Sequence, residues 1–179
     1  RLVAGVDAAR AIAAETQKLG AQRVFVMASA STLADGHLAS DLKSNLGQRL
    51  AGIHSGIAAH APQQDILDAA EAARTAQADI LVAIGGGTPI DSTKIIQLCL
   101  THDITDKDQL TRSSQGGGEA GLPFDPKVRD FPTVAVPTTL SCSEFASLAG
   151  AFFVEQLQIP GFSHPHLSPL SIFFPPPFC

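Results

Sequence analysis

Residues 79–100 read DILVAIGGGTPIDSTKIIQLCL, and the reading of the whole chain turns on them. Ile80 to Ile84 are all apolar, and Ile80, Val82 and Ile84 are β-branched. A short run of that kind is a buried strand. Gly85, Gly86 and Gly87 follow it. Thr88 then offers an N-cap, Pro89 a first helical position, and Asp91 an acid three residues past the cap. Strand, glycine turn and helix start together make a geometry that cradles phosphate. Glycine lets backbone N–H groups approach an anion, and the unpaired N–H groups of the helix start supply positive potential. A tight turn alone needs one glycine or two. Three in a row predict a ligand lying against the backbone.

Working outward, residues 1–4 read as the end of a first strand. Asp7 caps a helix that runs to Leu19 and stops at Gly20. Residues 23–28, RVFVMA, are a second buried strand. Ser29, Ser31 and Thr32 turn the chain into a helix reaching about Gly47, with Gly36 as its weak point. Residues 49–53 form a short third strand, and Pro62 opens the helix APQQDILDAAEAARTAQ. Strands alternating with helices at this spacing predict βαβ units. The expected fold is α/β, a Rossmann-like parallel sheet with helices on both faces.

After Leu100 the pattern stops. Residues 101–130 are polar, carry charges of both signs, and hold a second triplet, Gly116 to Gly118, with no strand before it. They read as a long surface loop inserted in the domain. Residues 133–136, TVAV, are another buried strand, running straight into Pro137, Thr138 and Thr139. Ligands of parallel sheets bind at the carboxyl ends of strands. Ile84 and Val136 are therefore expected side by side, with the main cleft at their ends.

Composition narrows the function. The 179 residues fit one domain, at about 100–200 residues per domain. With 45% apolar and 16% charged residues, the chain can bury a core. A net charge of −5 argues against the basic face of a nucleic-acid binder. No apolar run reaches the roughly 18 residues of a membrane span. Cys99, Cys142 and Cys179 are odd in number and widely spaced, which predicts free thiols in a reducing, cytoplasmic setting. The first residues do not resemble a signal peptide.

The motifs carry more when taken in order. GGGTPIDSTK at residues 85–94, then PTTLSCSE at residues 137–144, resembles the iron-containing alcohol dehydrogenase family. The family pattern is GGG-S-x-x-D-x-A-K, followed by PTT and a short Ser-Glu ending. Thr88 replaces the usual Ser, and Thr93 the usual Ala. The second motif is one residue shorter than in typical alcohol dehydrogenases. In that it is similar to the maleylacetate reductase branch, as are LVAIGGG and the surroundings of His60–Pro62. The resemblance covers residues 1–150 and implies a dinucleotide-binding domain of the dehydroquinate synthase-like kind. It implies hydride transfer between NAD or NADP and a small alcohol or carbonyl. Gly85, Gly86 and Gly87 would hold the pyrophosphate, with Thr88 also a cofactor-binding residue. Asp91 and Lys94 would lie toward the nicotinamide, and Thr138, Thr139 and Ser141 would line the cleft. No catalytic residue is identified.

The residues themselves leave alternatives open. Asp91 would repel a pyrophosphate, so at the cofactor it must accept from a hydroxyl or an amide; otherwise it forms a capping box with Thr88. Lys94 has the spacing of an i,i+3 partner for Asp91 on a solvated face. Thr138 and Thr139 also suit a plain turn. An acid after the second strand often bonds the ribose of NAD. Ser29 and Ser31 stand there instead, the nearest acid is Asp35, and no Arg follows closely, so NAD and NADP are not separated.

The resemblance also implies a second, helical domain giving an Asp and three His to iron or zinc. Here His37, His54, His60 and His102 fall on separate elements, and His164 and His166 form an HPH pair in a loop. The family metal is expected only with the missing domain. From Ala151 onward the sequence holds six of the ten Phe and six of the twelve Pro, with Glu155 as its only charge. Pro175 to Pro177 forbid a helix or a central strand. Residues 151–179 are thus expected as an atypical, irregular Pro/Phe-rich tail, either a divergent end or a misread frame. A non-catalytic dinucleotide-binding module is one alternative function. A dehydroquinate synthase-like enzyme is another, though Lys94 and Ser143–Glu144 depart from that family's motifs. The expected partner is a small molecule, with neither nucleic acid nor membrane, and a homo-oligomer is left open.

Overall fold

The computed structural model describes residues 1–34, 36–114, 131–153, 159–164 and 167–175. β1 (Leu2–Ala4) leads to α1 (Ala8–Lys18), where the Asp7 carboxylate accepts from the Arg10 N–H at 2.9 Å. β2 (Val24–Ala28) is buried throughout. The next segment is not one helix. α2 (Ala30–Leu33) and α3 (His37–Leu46) are separate, because Gly36 takes a left-handed conformation at φ +73° and starts α3. β3 (Leu50–Ser55), α4 (Gln63–Thr75), β4 (Ile80–Gly85) and α5 (Gly87–Thr101) follow in the expected alternation.

The region 101–114 corrects the loop expectation. α6 (Lys107–Arg112) is capped by Asp106, whose carboxylate accepts from the Gln109 N–H at 2.7 Å. Ile104 and Leu110 are buried against α4 and α5, and that burial orders a segment that composition alone marks as polar loop. Gly116 to Gly118 lie outside the described residues, as do Asp35 and His166.

β5 (Thr133–Pro137) pairs in parallel with β4, Ile84 opposite Val136 and Gly85 opposite Pro137, so the two carboxyl ends are adjacent as expected. β6 (Leu148–Gly150) pairs antiparallel with β7 (Gly161–Ser163), and β8 (Ser171–Phe174) follows. The main sheet is wholly parallel, in the order β1-β8-β5-β4-β2-β3. Alternate residues serve its two faces. Val24, Val26, Ile80, Val82 and Ile84 meet Ile12 of α1 and Leu42 of α3. Phe25, Met27 and Leu81 meet Ile66 and Ala70 of α4 and Ile95 of α5.

β8 overturns the expectation of an irregular tail. Ser171–Phe174 lies inside the sheet between β1 and β5, and Phe162 and Phe153 are buried with the α4–α5 side. A residue-150 boundary therefore cuts through the sheet. Pro175 comes only after the last ladder residue, so it costs the strand nothing.

A buried polar contact holds β8 to α1. The Ser171 hydroxyl donates to Glu15 at 2.6 Å, and Arg1 reaches the other carboxylate oxygen at 2.5 Å. The Ser171 hydrogen bond, and after it the charges of Lys18 and Arg1, outweigh burial and hold the Glu15 carboxyl below its ordinary 4.5. A depressed carboxylate stabilises the fold above the unfolded-state value and ceases to do so as pH falls through the folded-state value. Ser171→Ala should therefore cost about 1.5–3 kcal/mol in urea melts at neutral pH. The gap to wild type should narrow below pH 4.5. A gap independent of pH would show that Glu15 does not anchor the strand.

Candidate functional site

The chain runs outward from β2 to β3, then returns past β2 to β4. The reversal of direction opens a crevice between the carboxyl ends of β2 and β4, the place where such sheets bind ligands. The Ser29 N–H donates to the Ile84 carbonyl at 3.1 Å and fixes the two ends together. A cavity of about 110 Å³ sits there, lined by Met27 to Ala30, Ile57, Ala59, Thr88 and Pro89.

The glycine turn borders this cavity. Gly85 has φ +144°, and a Cβ on it would come within 2.6 Å of the Pro89 ring. A Cβ on Gly86 would lie 3.0 Å from Thr139 Oγ1, and one on Gly87 3.4 Å from Ser141 Cβ and Ser143 Oγ. The close approach that the triplet permits is thus partly to the chain itself. The Thr138 N–H donates to the Gly85 carbonyl at 2.9 Å, which binds the second motif to the first.

The helix begins earlier than the motif suggests. Gly86 is the N-cap in an extended conformation and has no side chain to cap with, so Thr88 is not the cap and forms no capping box with Asp91. Pro89 is then the third helical residue. It still costs no hydrogen bond, because the first N–H groups of a helix lack intrahelical partners. The Ile90 N–H makes the first bond back, to Gly86 at 3.4 Å. Asp91 falls in the second turn rather than the first, where the dipole is weaker.

Asp91 instead lines a second cavity, of about 350 Å³, with Ser141, Cys142, Ser143, Leu148 and Gly150. Burial pushes its carboxyl above the ordinary value, against Lys94, the Ser143 hydroxyl and the Gly150 N–H. Lys94 pairs with Asp91 at 3.8 Å, but not on a solvated face: its side chain is 1% exposed. Its ammonium donates to the Ser143 carbonyl, to Ala146 at 2.7 Å and to Leu148 at 3.0 Å. Burial lowers its pKa, while Asp91 and the buried Glu144 oppose that shift. Glu144 thus acts on the site through its charge, a role that the motif spacing does not reveal.

Thr139 and Ser141 are exposed at the mouth of the cleft, and Thr138 is half-buried beneath them. Ser29 lies within 3.3 Å of a Gly85 Cβ position, and its hydroxyl bonds Ser31 at 3.1 Å. His54 is in β3, His37 starts α3, and His102 packs edge-on to the buried His164 at 5.9 Å. Among the described residues no three of His, Cys, Asp and Glu gather as metal ligands, so they do not fit the family's iron or zinc.

A doubly covered parallel sheet with a glycine turn at its crossover is the architecture in which α/β proteins bind nucleotides. The model for "Iron-containing alcohol dehydrogenase" matches residues 1–176, and the chain belongs to that family. It is 34% identical over 152 residues to "Dehydrogenase FUM7" of Gibberella moniliformis, covering 82% of this chain and 35% of that one. It is 39% identical over 98 residues to "Maleylacetate reductase 2" of Cupriavidus pinatubonensis, covering 55% and 26%. The fold matches sulfoacetaldehyde reductase of Bifidobacterium kashiwanohense, solved in complex with NAD+, with a TM-score of 0.81 at 18% identity over 98% of this chain and 44% of that one. The chain spans about a third of the length of the first of these relatives.

Two measurements check this site. Gly85→Ala should lower stability by about 1–3 kcal/mol, since it meets both a forbidden φ and the Pro89 ring, whereas Gly87→Ala should cost less. Equal denaturant midpoints would refute the packing described. Burial pushes the Cys99 thiol up to about 12, while Cys142 is exposed. An alkylating reagent at pH 8 should label Cys142 and leave Cys99 intact until the chain unfolds, as read by peptide mass mapping.

Proposed function

We infer that this chain is the dinucleotide-binding part of an oxidoreductase that moves hydride between NAD or NADP and a small alcohol or carbonyl. One observation carries the reading. The Gly85–Gly87 turn stands at the crevice between β2 and β4, with one cavity toward Ser29 and another toward Asp91. A dinucleotide has that shape: an adenosine end, a pyrophosphate, and a nicotinamide end. The adenosine end would take the Met27–Ala30 cavity. The N–H groups of Gly86, Gly87 and Thr88 would hold the pyrophosphate at the start of α5. Asp91, in the second cavity, would accept from a hydroxyl or amide. Thr138, Thr139 and Ser141 would close the side formed by β5.

The bound nicotinamide would supply the hydride acceptor or donor. The chain's own residues orient it and exclude water from one side. The substrate is a carbonyl or alcohol, and the maleylacetate reductases among the relatives make maleylacetate the first to try. A reducing compartment, the cytoplasm, would suit the free thiols Cys99 and Cys142. No helix among the described residues is long and apolar enough to cross a membrane. Among the described residues β1 and β3 are the outer strands, where a homo-oligomer would extend the sheet.

Calorimetric titration with NADH and NADPH tests the reading. The folded chain should bind at least one of them, and Gly86→Val should weaken that binding tenfold or more while the melt shifts modestly. Absorbance assays with alcohols, aldehydes and maleylacetate, with and without iron or zinc, then separate an enzyme from a binding module. A folded chain that takes up neither dinucleotide would end the proposal.

A further inference from the structure

Lys94 presents an arrangement that the dinucleotide reading does not use. An ammonium has three N–H donors, and all of them go to backbone carbonyls of one short segment, those of Ser143, Ala146 and Leu148. No donor is left for a ligand. Three carbonyls converging on one point would repel one another without a cation between them, and Asp91 and Glu144 add negative charge beside it. The segment they belong to, with Ser141, Cys142 and Ser143, forms the wall of the second cavity. Its backbone is bent there: Cys142 has φ +61°.

We propose that Lys94 is a positioning residue, a tethered cation that folds Ser143–Leu148 into the wall facing the nicotinamide end of the cleft. The proposal rests on the dinucleotide reading for what the wall faces, but not for the clamp itself. It reverses the role that the family motif suggests, in which the lysine lies toward the cofactor. Lys94 acts through the wall and does not touch the ligand. The site asks for a small, compact charge with three donors. A methionine fills the stem and leaves the carbonyls unpaired. An arginine brings a broad planar fork that does not match three convergent acceptors.

The test uses the full chain in a Cys179→Ser background, with a nitroxide on the exposed Cys142. The buried Cys99 stays unlabelled. Lys94→Met and Lys94→Arg should both sharpen the spectral lines, reporting a loosened wall, and should weaken NADH or NADPH binding tenfold or more. Lys94→Ala lacks a piece the size of n-propylammonium. That ion in the buffer should restore at least half of the line width and affinity to Lys94→Ala, but nothing to Lys94→Met. Tetramethylammonium, which cannot donate, should restore neither. If Lys94→Ala folds only in n-propylammonium and not in sodium chloride, the clamp is likewise supported; if neither salt folds it, the Met and Arg spectra decide. Spectra of the Met and Arg variants identical to wild type, or equal rescue by tetramethylammonium, would overturn the proposal. A wild-type chain that binds no dinucleotide defeats the functional reading alone, because the nitroxide still reports the wall.

Discussion

A wholly parallel sheet has no face to spare for water, and the rest of this structure follows from covering both. The strands β2, β4 and β5 are buried from end to end. Helices α1 and α3 cover one side, α4 and α5 the other. With both faces apolar, polar side chains are displaced to the strand ends. The carboxyl ends collect Ser29, the glycine turn, Thr138, Thr139 and Ser141, and two cavities form among them. The polar groups gather where the sheet stops.

The same constraint explains what could be read from the sequence. ILVAI and TVAV are uninterrupted apolar runs because both of their faces are packed, and helices of ordinary length separate the strands. The fold class and the β4–β5 adjacency follow. SIFF is such a run too, but it is four residues long and framed by Pro169 and Pro175. Composition points to an irregular tail there. Yet a proline forbids a ladder bond only at its own position, and the strand fits between the two. α6 was hidden for a related reason. Its one buried residue, Leu110, docks on a surface made by distant helices, and no local period records that.

At the site, the glycines, both threonines and the Asp91–Lys94 spacing were legible because each is a local pattern. Their environments were not. The helix start moved back to Gly87 because Gly86 is extended and Gly85 lies at a positive φ, which side-chain capping rules do not encode. The Asp91–Lys94 pair reads as a surface pair in any helical projection. Lys94 is buried because the carbonyls that receive its ammonium lie 49 to 54 residues downstream. Spacing along one helix carries no information about them. Glu144 ends the second motif, and nothing in that motif reveals that it is buried with its charge acting on Lys94.

β8 carries a consequence for how the chain comes to be folded. Among the described residues β1 has one neighbour in the sheet, and that neighbour is β8. During synthesis from the amino end, β2, β3, β4 and β5 can pair as they emerge, while β1 waits for a partner some 170 residues later. Closing so long a span before any contact repays it is slow. Until then β1 and the free flank of β5 are bare strand edges, open to pairing with another chain. Among the described residues, the strand made latest therefore shields the one made earliest.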